Sequence, residues 1–133
     1  MKSDLSFAKP ILITASVCGG IAVALGAFGA HGLKKIVSPE MIDIFNKGVY
    51  YQFIHTFALL ACGILVFLTN EKRFVIGSRF FVAGIACFSG SLYLLSFKEI
   101  LDINTKLVGP ITPLGGLFFI AGWLMLFYRS YTP

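Results

Sequence analysis

The sequence predicts an all-α integral membrane protein, a four-helix bundle with short interfacial helices in its two longer loops. Three observations predict it. The 133 residues are 57% hydrophobic and 13% charged, with a mean hydropathy of +0.86, more apolar surface than a soluble domain of this length can bury. The apolar residues gather into four blocks, at residues 10–30, 49–69, 75–97 and 112–128. Each block is close to the ~20 residues that a helix needs to cross the hydrocarbon. The whole chain, 1–133, therefore reads as one transmembrane domain.

The first block follows Lys2 and Lys9 and ends in small residues, as a secretion signal does. It is longer than the ~7–15 apolar residues of a signal core and three further blocks follow, so it reads as an uncleaved helix. Ala15, Gly19, Ala22, Gly26 and Gly29 recur at spacings of four and three, which places them on one helix face. Gly20, Ala24, Ala27 and His31 form a second small stripe about 100° round the same helix. Small stripes let membrane helices approach closely, so this span is expected to be central and to touch two neighbours.

In the first loop, Ser38, Pro39 and Glu40 read as an N-cap, a first-turn proline and an acid favourable to the helix dipole. A short interfacial helix is expected there, leading to a bend at Gly48. The second span opens on YYQFIHT, in which Gln52, His55 and Thr56 share a face. The turn NEKR is short, so the second and third spans are antiparallel neighbours. The third span carries FSGSLY, residues 88–93, with Gly90 among the small residues that serve packing. After a loop of mixed polarity, Thr112 is the expected N-cap and Pro113 the first-turn residue of the fourth span. Gly115 and Gly122 give that span a packing face, and Trp123, Tyr128 and Arg129 suit the far interface.

Spans joined in sequence alternate direction. The end of the first, the start of the second, the end of the third and the start of the fourth therefore share one side of the membrane, and the uncharged polar residues sit at those ends. His31, Tyr51, Gln52, His55, Ser89, Ser91, Tyr93 and Thr112 form the candidate polar cluster, with His31 expected to approach Gln52 or His55. The termini and second loop hold Lys2, Lys9, Lys72, Arg73, Arg79 and Arg129, against Lys34, Lys35, Lys47, Lys98 and Lys106 in the two longer loops. That excess of one places the N- and C-termini in the cytoplasm under the positive-inside rule.

At GAFGAHGL, YYQFIHTFALL, FSGSLYLL and GPITPLGGLFFIAGW, the chain closely resembles the YgdD/YwdK-type family of small bacterial inner-membrane proteins, a domain of unknown function. The resemblance extends from the first span through Trp123. It implies a multi-pass inner-membrane protein with four helices, and brings no reaction and no catalytic residues with it.

Several function classes are disfavoured by the residues themselves. The eleven basic residues are scattered, with no stripe interleaved with aromatics, so contact with anionic lipid headgroups is expected and nucleic acid is not. Cys18, Cys62 and Cys87 lie within apolar blocks without a CxxC spacing and read as packing residues. Two histidines without nearby acids or thiols fall short of a zinc site, and adjacent helices leave little room for haem, so neither metal nor cofactor is expected. No acid lies within a span to relay protons. Ser89 or Ser91 with His55 lacks both a GxSxG elbow and an orienting carboxylate, so no enzyme is expected. Two readings lead, a non-enzymatic scaffold or accessory subunit and a protein that binds a lipid, quinone or other small ligand at the polar cluster around His31 and His55, with a small transporter ranked below them. The expected partners are membrane lipids and either further copies of the chain or a larger membrane-protein complex.

Overall fold

The computed structural model describes residues 4–131; Lys2 and the side chain of Arg129, which enter the orientation count, lie outside them. All the described secondary structure is helical. The first span is α1, Asp4–His31, closed by a 3₁₀ turn at Leu33–Lys35. The second is α2, Pro39–Thr69. The third is continuous from Lys72 to Leu95 and comprises α3, Lys72–Gly84, a π-helical stretch at Ile85–Ser89, and α4, Gly90–Leu95. A short α5, Thr105–Val108, precedes α6, Ile111–Tyr131. Four helices are long and apolar enough to cross a membrane.

Ser38 caps α2 as its residue type requires, its hydroxyl accepting from the Met41 amide at 3.4 Å, with Pro39 in the first turn. The helix is not interrupted at Gly48, and no separate interfacial helix precedes the span. It runs unbroken for 31 residues, about 46 Å at the α-helical rise, against a hydrocarbon core of about 30 Å. A glycine need not interrupt a helix where a neighbour packs against it. Here Gly48 is clamped by Tyr93, whose ring lies 2.8 Å from where a Cβ would stand.

The inner pair of the bundle is α2 and the third span. α1 packs almost wholly on α2, and α6 packs on α3 and the π-helical stretch. The expectation that α1 would be central is therefore corrected. Its first small stripe is used: Gly29 lies on Phe45, Gly26 faces Val49 and Gly19 faces Thr56, an antiparallel register that steps down α1 as it steps up α2. The second stripe, Gly20, Ala24, Ala27 and His31, is exposed, with nothing within 4 Å of a Cβ at Gly20. A helix buries only the faces that its neighbours cover.

α3 and α6 interlock by two reciprocal insertions. Phe119 of α6 sits over Gly84 of α3, where a Cβ would come within 2.3 Å of its ring, and Phe81 of α3 sits over Gly122 of α6, at 2.7 Å. Gly115 meets the Phe88 backbone, its absent Cβ falling 2.3 Å from the amide nitrogen. Gly90 does not pack as expected, since nothing lies within 4 Å of the corresponding point. Outside the membrane, Glu99 joins the first and third loops: its carboxylate accepts from the Ser38 amide at 3.0 Å and from the Ser38 hydroxyl at 2.7 Å. The backbone bond, the hydroxyl bond and the nearby Lys98 together hold the Glu99 carboxyl below its usual range.

Two outcomes follow. Gly115→Ala forces the α6–Phe88 contact apart and is expected to cost about 1–3 kcal/mol in detergent unfolding, whereas Gly90→Ala is expected to be neutral or to gain about 0.5–1 kcal/mol from the lower flexibility of alanine. Because the folded-state carboxyl of Glu99 is depressed, its stabilisation is present above the unfolded pKa of about 4.3 and is lost as the pH falls through the folded value. Unfolding of wild type and Glu99→Gln, compared from neutral pH downward, should show the wild-type advantage vanishing in that acid window.

Candidate functional site

The polar groups of the spans are assembled on α2. Gln52 is buried and its side chain has both kinds of hydrogen-bonding atom to satisfy. Its Nε2 donates to the Cys18 carbonyl of α1 at 2.8 Å, and its Oε1 accepts from the Tyr93 hydroxyl of α4 at 2.8 Å. The acceptor-only carbonyl fixes which end of the amide faces α1. One side chain thus joins three spans. A turn further on, the Thr56 hydroxyl bonds back to the Gln52 carbonyl at 2.7 Å, which leaves its methyl against Gly19.

His55 completes the link to the fourth span. Its Nδ1 lies 2.7 Å from the Tyr51 carbonyl, an acceptor, so Nδ1 carries the proton. Nε2 then presents a lone pair, and the indole N–H of Trp123 donates to it at 3.2 Å. Phe119 stacks on the imidazole, with ring centroids 3.4 Å apart and planes 8° from parallel. Tyr51 lies over the other rings, at 4.5 Å from Phe88 and 5.9 Å from His55. The imidazole is therefore enclosed by aromatic rings, and both of its nitrogens are engaged.

The third and fourth spans are tied once more near the start of α6. The Ser91 hydroxyl donates its single proton to the Phe88 carbonyl at 2.9 Å, so the Thr112 hydroxyl, 2.7 Å away, is the donor to Ser91 Oγ. This is a different part for Thr112 from the expected N-cap. α6 already begins at Ile111, which puts Thr112 in its first turn, facing α4. Trp123 is likewise not an interfacial anchor, because its N–H turns inward and donates to His55.

Of the residues expected to cluster, Tyr51, Gln52, His55, Ser91, Tyr93 and Thr112 are joined by these contacts. Ser89 is fully buried between them in sequence, in the π-helical stretch, and its Oγ is the one buried side-chain polar atom without a hydrogen-bond partner among the described residues. His31 does not join. It is exposed at the end of α1, thirteen residues beyond Cys18, about 20 Å along the axis from the level of Gln52. The two imidazoles lie apart because α2 starts ten residues before the apolar block does, so its early turns occupy the place opposite His31. Trp123 is the cluster member that the residue pattern did not single out; an indole N–H inside a hydrocarbon span was the available signal. Among the described residues, no three His, Cys, Asp or Glu side chains gather where they would hold a metal ion.

Residues 25–116 match the family described as protein of unknown function, DUF423. The chain belongs to the DUF423 family. The matched segment contains Gln52, His55, Tyr93 and Thr112, and the relatives extend the likeness over most of the chain. A UPF0382 membrane protein of Staphylococcus haemolyticus is 38% identical over 123 residues, covering 92% of this chain and 96% of its own. YwdK of Bacillus subtilis, also a UPF0382 membrane protein, is 38% identical, covering 89% and 93%. The UPF0382 inner membrane protein YgdD of Escherichia coli is 37% identical, covering 87% and 85%. No solved structure matches. With four helices of spanning length, this DUF423 protein is a multi-pass membrane protein.

The shared position of Gln52 and Tyr93 in the three-span link gives a quantitative expectation. Interhelical hydrogen bonds in membranes average about 0.6 kcal/mol and reach about 1.7, so Gln52→Leu, which removes two, should cost about 1–2 kcal/mol. Tyr93→Phe should cost about half as much. A double-mutant cycle read by unfolding in detergent should return a coupling of about 0.5–1 kcal/mol between the two positions.

Proposed function

We propose that the protein is a non-enzymatic helix-bundle scaffold or accessory subunit of the inner (cytoplasmic) membrane, with both termini in the cytoplasm. One observation carries this reading: the polar side chains within the spans are spent on one another. Gln52, Tyr93, His55, Trp123, Ser91 and Thr112 form bonds that tie each span to its neighbours, and such bonds act as glue where no hydrophobic force drives helices together. His55 keeps no nitrogen for a ligand or a proton transfer. The exposed Gly20, Ala24 and Ala27 stripe leaves a face of α1 on which another membrane helix fits closely. The inner-membrane name of the Escherichia coli relative supports the location.

A second reading, a binder of a lipid, quinone or other small ligand at the cluster, is favoured by the unpartnered Ser89 hydroxyl alone. Native mass spectrometry of the full chain in mild detergent separates the two. The scaffold reading expects an assembly heavier than the 14.5 kDa chain, one that Ala24→Leu dissociates without lowering the unfolding midpoint. His55→Phe is expected to destabilise the bundle and change the emission of Trp123, the only tryptophan, without releasing a small molecule. A monomer that carries a small ligand, lost in His55→Phe or Ser89→Ala, would overturn the scaffold reading.

A further inference from the structure

Between α1 and α3, over Leu59 of α2, lies an open cleft of about 460 Å³, within the ~300–1,000 Å³ range of small-molecule sites. Phe7 and Pro10 of α1 form one wall, Ala83 of α3 and Ala86 of the π-helical stretch the other, and Leu59 of α2 lies at the floor. Its lining is apolar apart from a few hydroxyls and Arg79. The cleft continues past Val75 and Arg79 into a shallower groove that ends at Lys72. Among the described residues, no acidic side chain lines either part.

Arg79 is the unusual member. It stands seven residues into the third span, about 10 Å along the helix from Lys72, and makes no hydrogen bond or ion pair among the described residues. Its neighbour in sequence Arg73 is engaged over the Tyr128 ring at 5.4 Å. A guanidinium at that depth requires an anion or an aqueous route for its head. Lys72 and Arg79 mark a path from the headgroup level inward, along a trough lined by alkyl and aromatic groups. The guanidinium fork matches a phosphate diester bidentately, and the trough takes what is attached to that phosphate.

We propose that this α1–α3 cleft is a binding site for one anionic phospholipid of the leaflet at the N-terminal side, with the phosphate on Arg79 and Lys72 and an acyl chain along Ala83 and Ala86. The site is separate from the His55 cluster and does not depend on the scaffold reading. The charge complementarity selects the headgroup: zwitterionic lipids carry the same tails but no net negative charge to offset two cations.

The test uses the full-length protein in mild detergent, titrated with dioleoylphosphatidylglycerol or dioleoylphosphatidylcholine and read by native mass spectrometry. One phosphatidylglycerol should be retained in preference to phosphatidylcholine. Arg79→Gln should weaken that retention about five- to tenfold, from the contribution of one cation near a lipid phosphate, while Arg79→Lys recovers part of it. Ala86→Leu, at an exposed position on the cleft wall, should expel the chain with both cations intact. Each variant is compared at unchanged Trp123 emission, since Trp123 does not line the cleft. Equal retention of the two lipids, or wild-type retention by both Arg79→Gln and Ala86→Leu, would overturn the assignment.

Discussion

The bundle depends on the side-chain amide of Gln52. In hydrocarbon there is no water to take an unpaired donor or acceptor, so a buried glutamine must find partners on its neighbours. It finds one on each side, the Cys18 carbonyl and the Tyr93 hydroxyl. These two bonds require that α1, α2 and α4 meet at one level, which fixes the register of three spans at once. Apolar surfaces in lipid can slide past one another with little change in energy. A bond of defined length cannot.

The fourth span is placed by a different kind of constraint. Phe119 and Phe81 each fill the gap left by a glycine on the opposing helix, and that exchange brings α6 close enough for Trp123 to reach His55. Shape complementarity sets the distance, and the indole hydrogen bond sets the rotation. The π-helical stretch at Ile85–Ser89 lies where Gly115 meets the Phe88 backbone. The extra residue in that turn accommodates the close approach of α6 and leaves Ser89 buried without a partner. π-bulges recur where a helix serves more than regular packing, and this one lies between the two inter-span links.

The two membrane ends are unlike. Toward the loops at 32–38 and 96–104, Leu33, Met41 and Phe45 are fully buried, Phe45 packs on Tyr93 with centroids 5.0 Å apart, and Glu99 clasps Ser38 outside the hydrocarbon. That end is closed. At the other end an apolar cleft lies between α1 and α3, with Arg79 in its lining. α1 packs mainly on α2 and touches α3 only lightly, which leaves room for the cleft between them.

The sequence by itself determined the all-α class, the count and approximate place of the spans, the Ser38 cap and the family, because hydrocarbon thickness and helix capping act locally and leave their marks in composition and spacing. It also singled out Gln52, His55, Tyr93, Ser91 and Thr112, since polar groups in apolar blocks are visible without a fold. The register of α1 against α2 was legible only as a stripe of small residues, and a stripe does not say which residue lies opposite which. That is why His31 was expected beside Gln52 and stands about 20 Å from its level along the helix. The unbroken course of α2 through Gly48, the peripheral place of α1, the inward turn of Trp123 and the cleft beside Arg79 were decided by tertiary structure. Each depends on what a neighbouring helix offers across a contact: a ring, a lone pair, a bare backbone, or nothing at all.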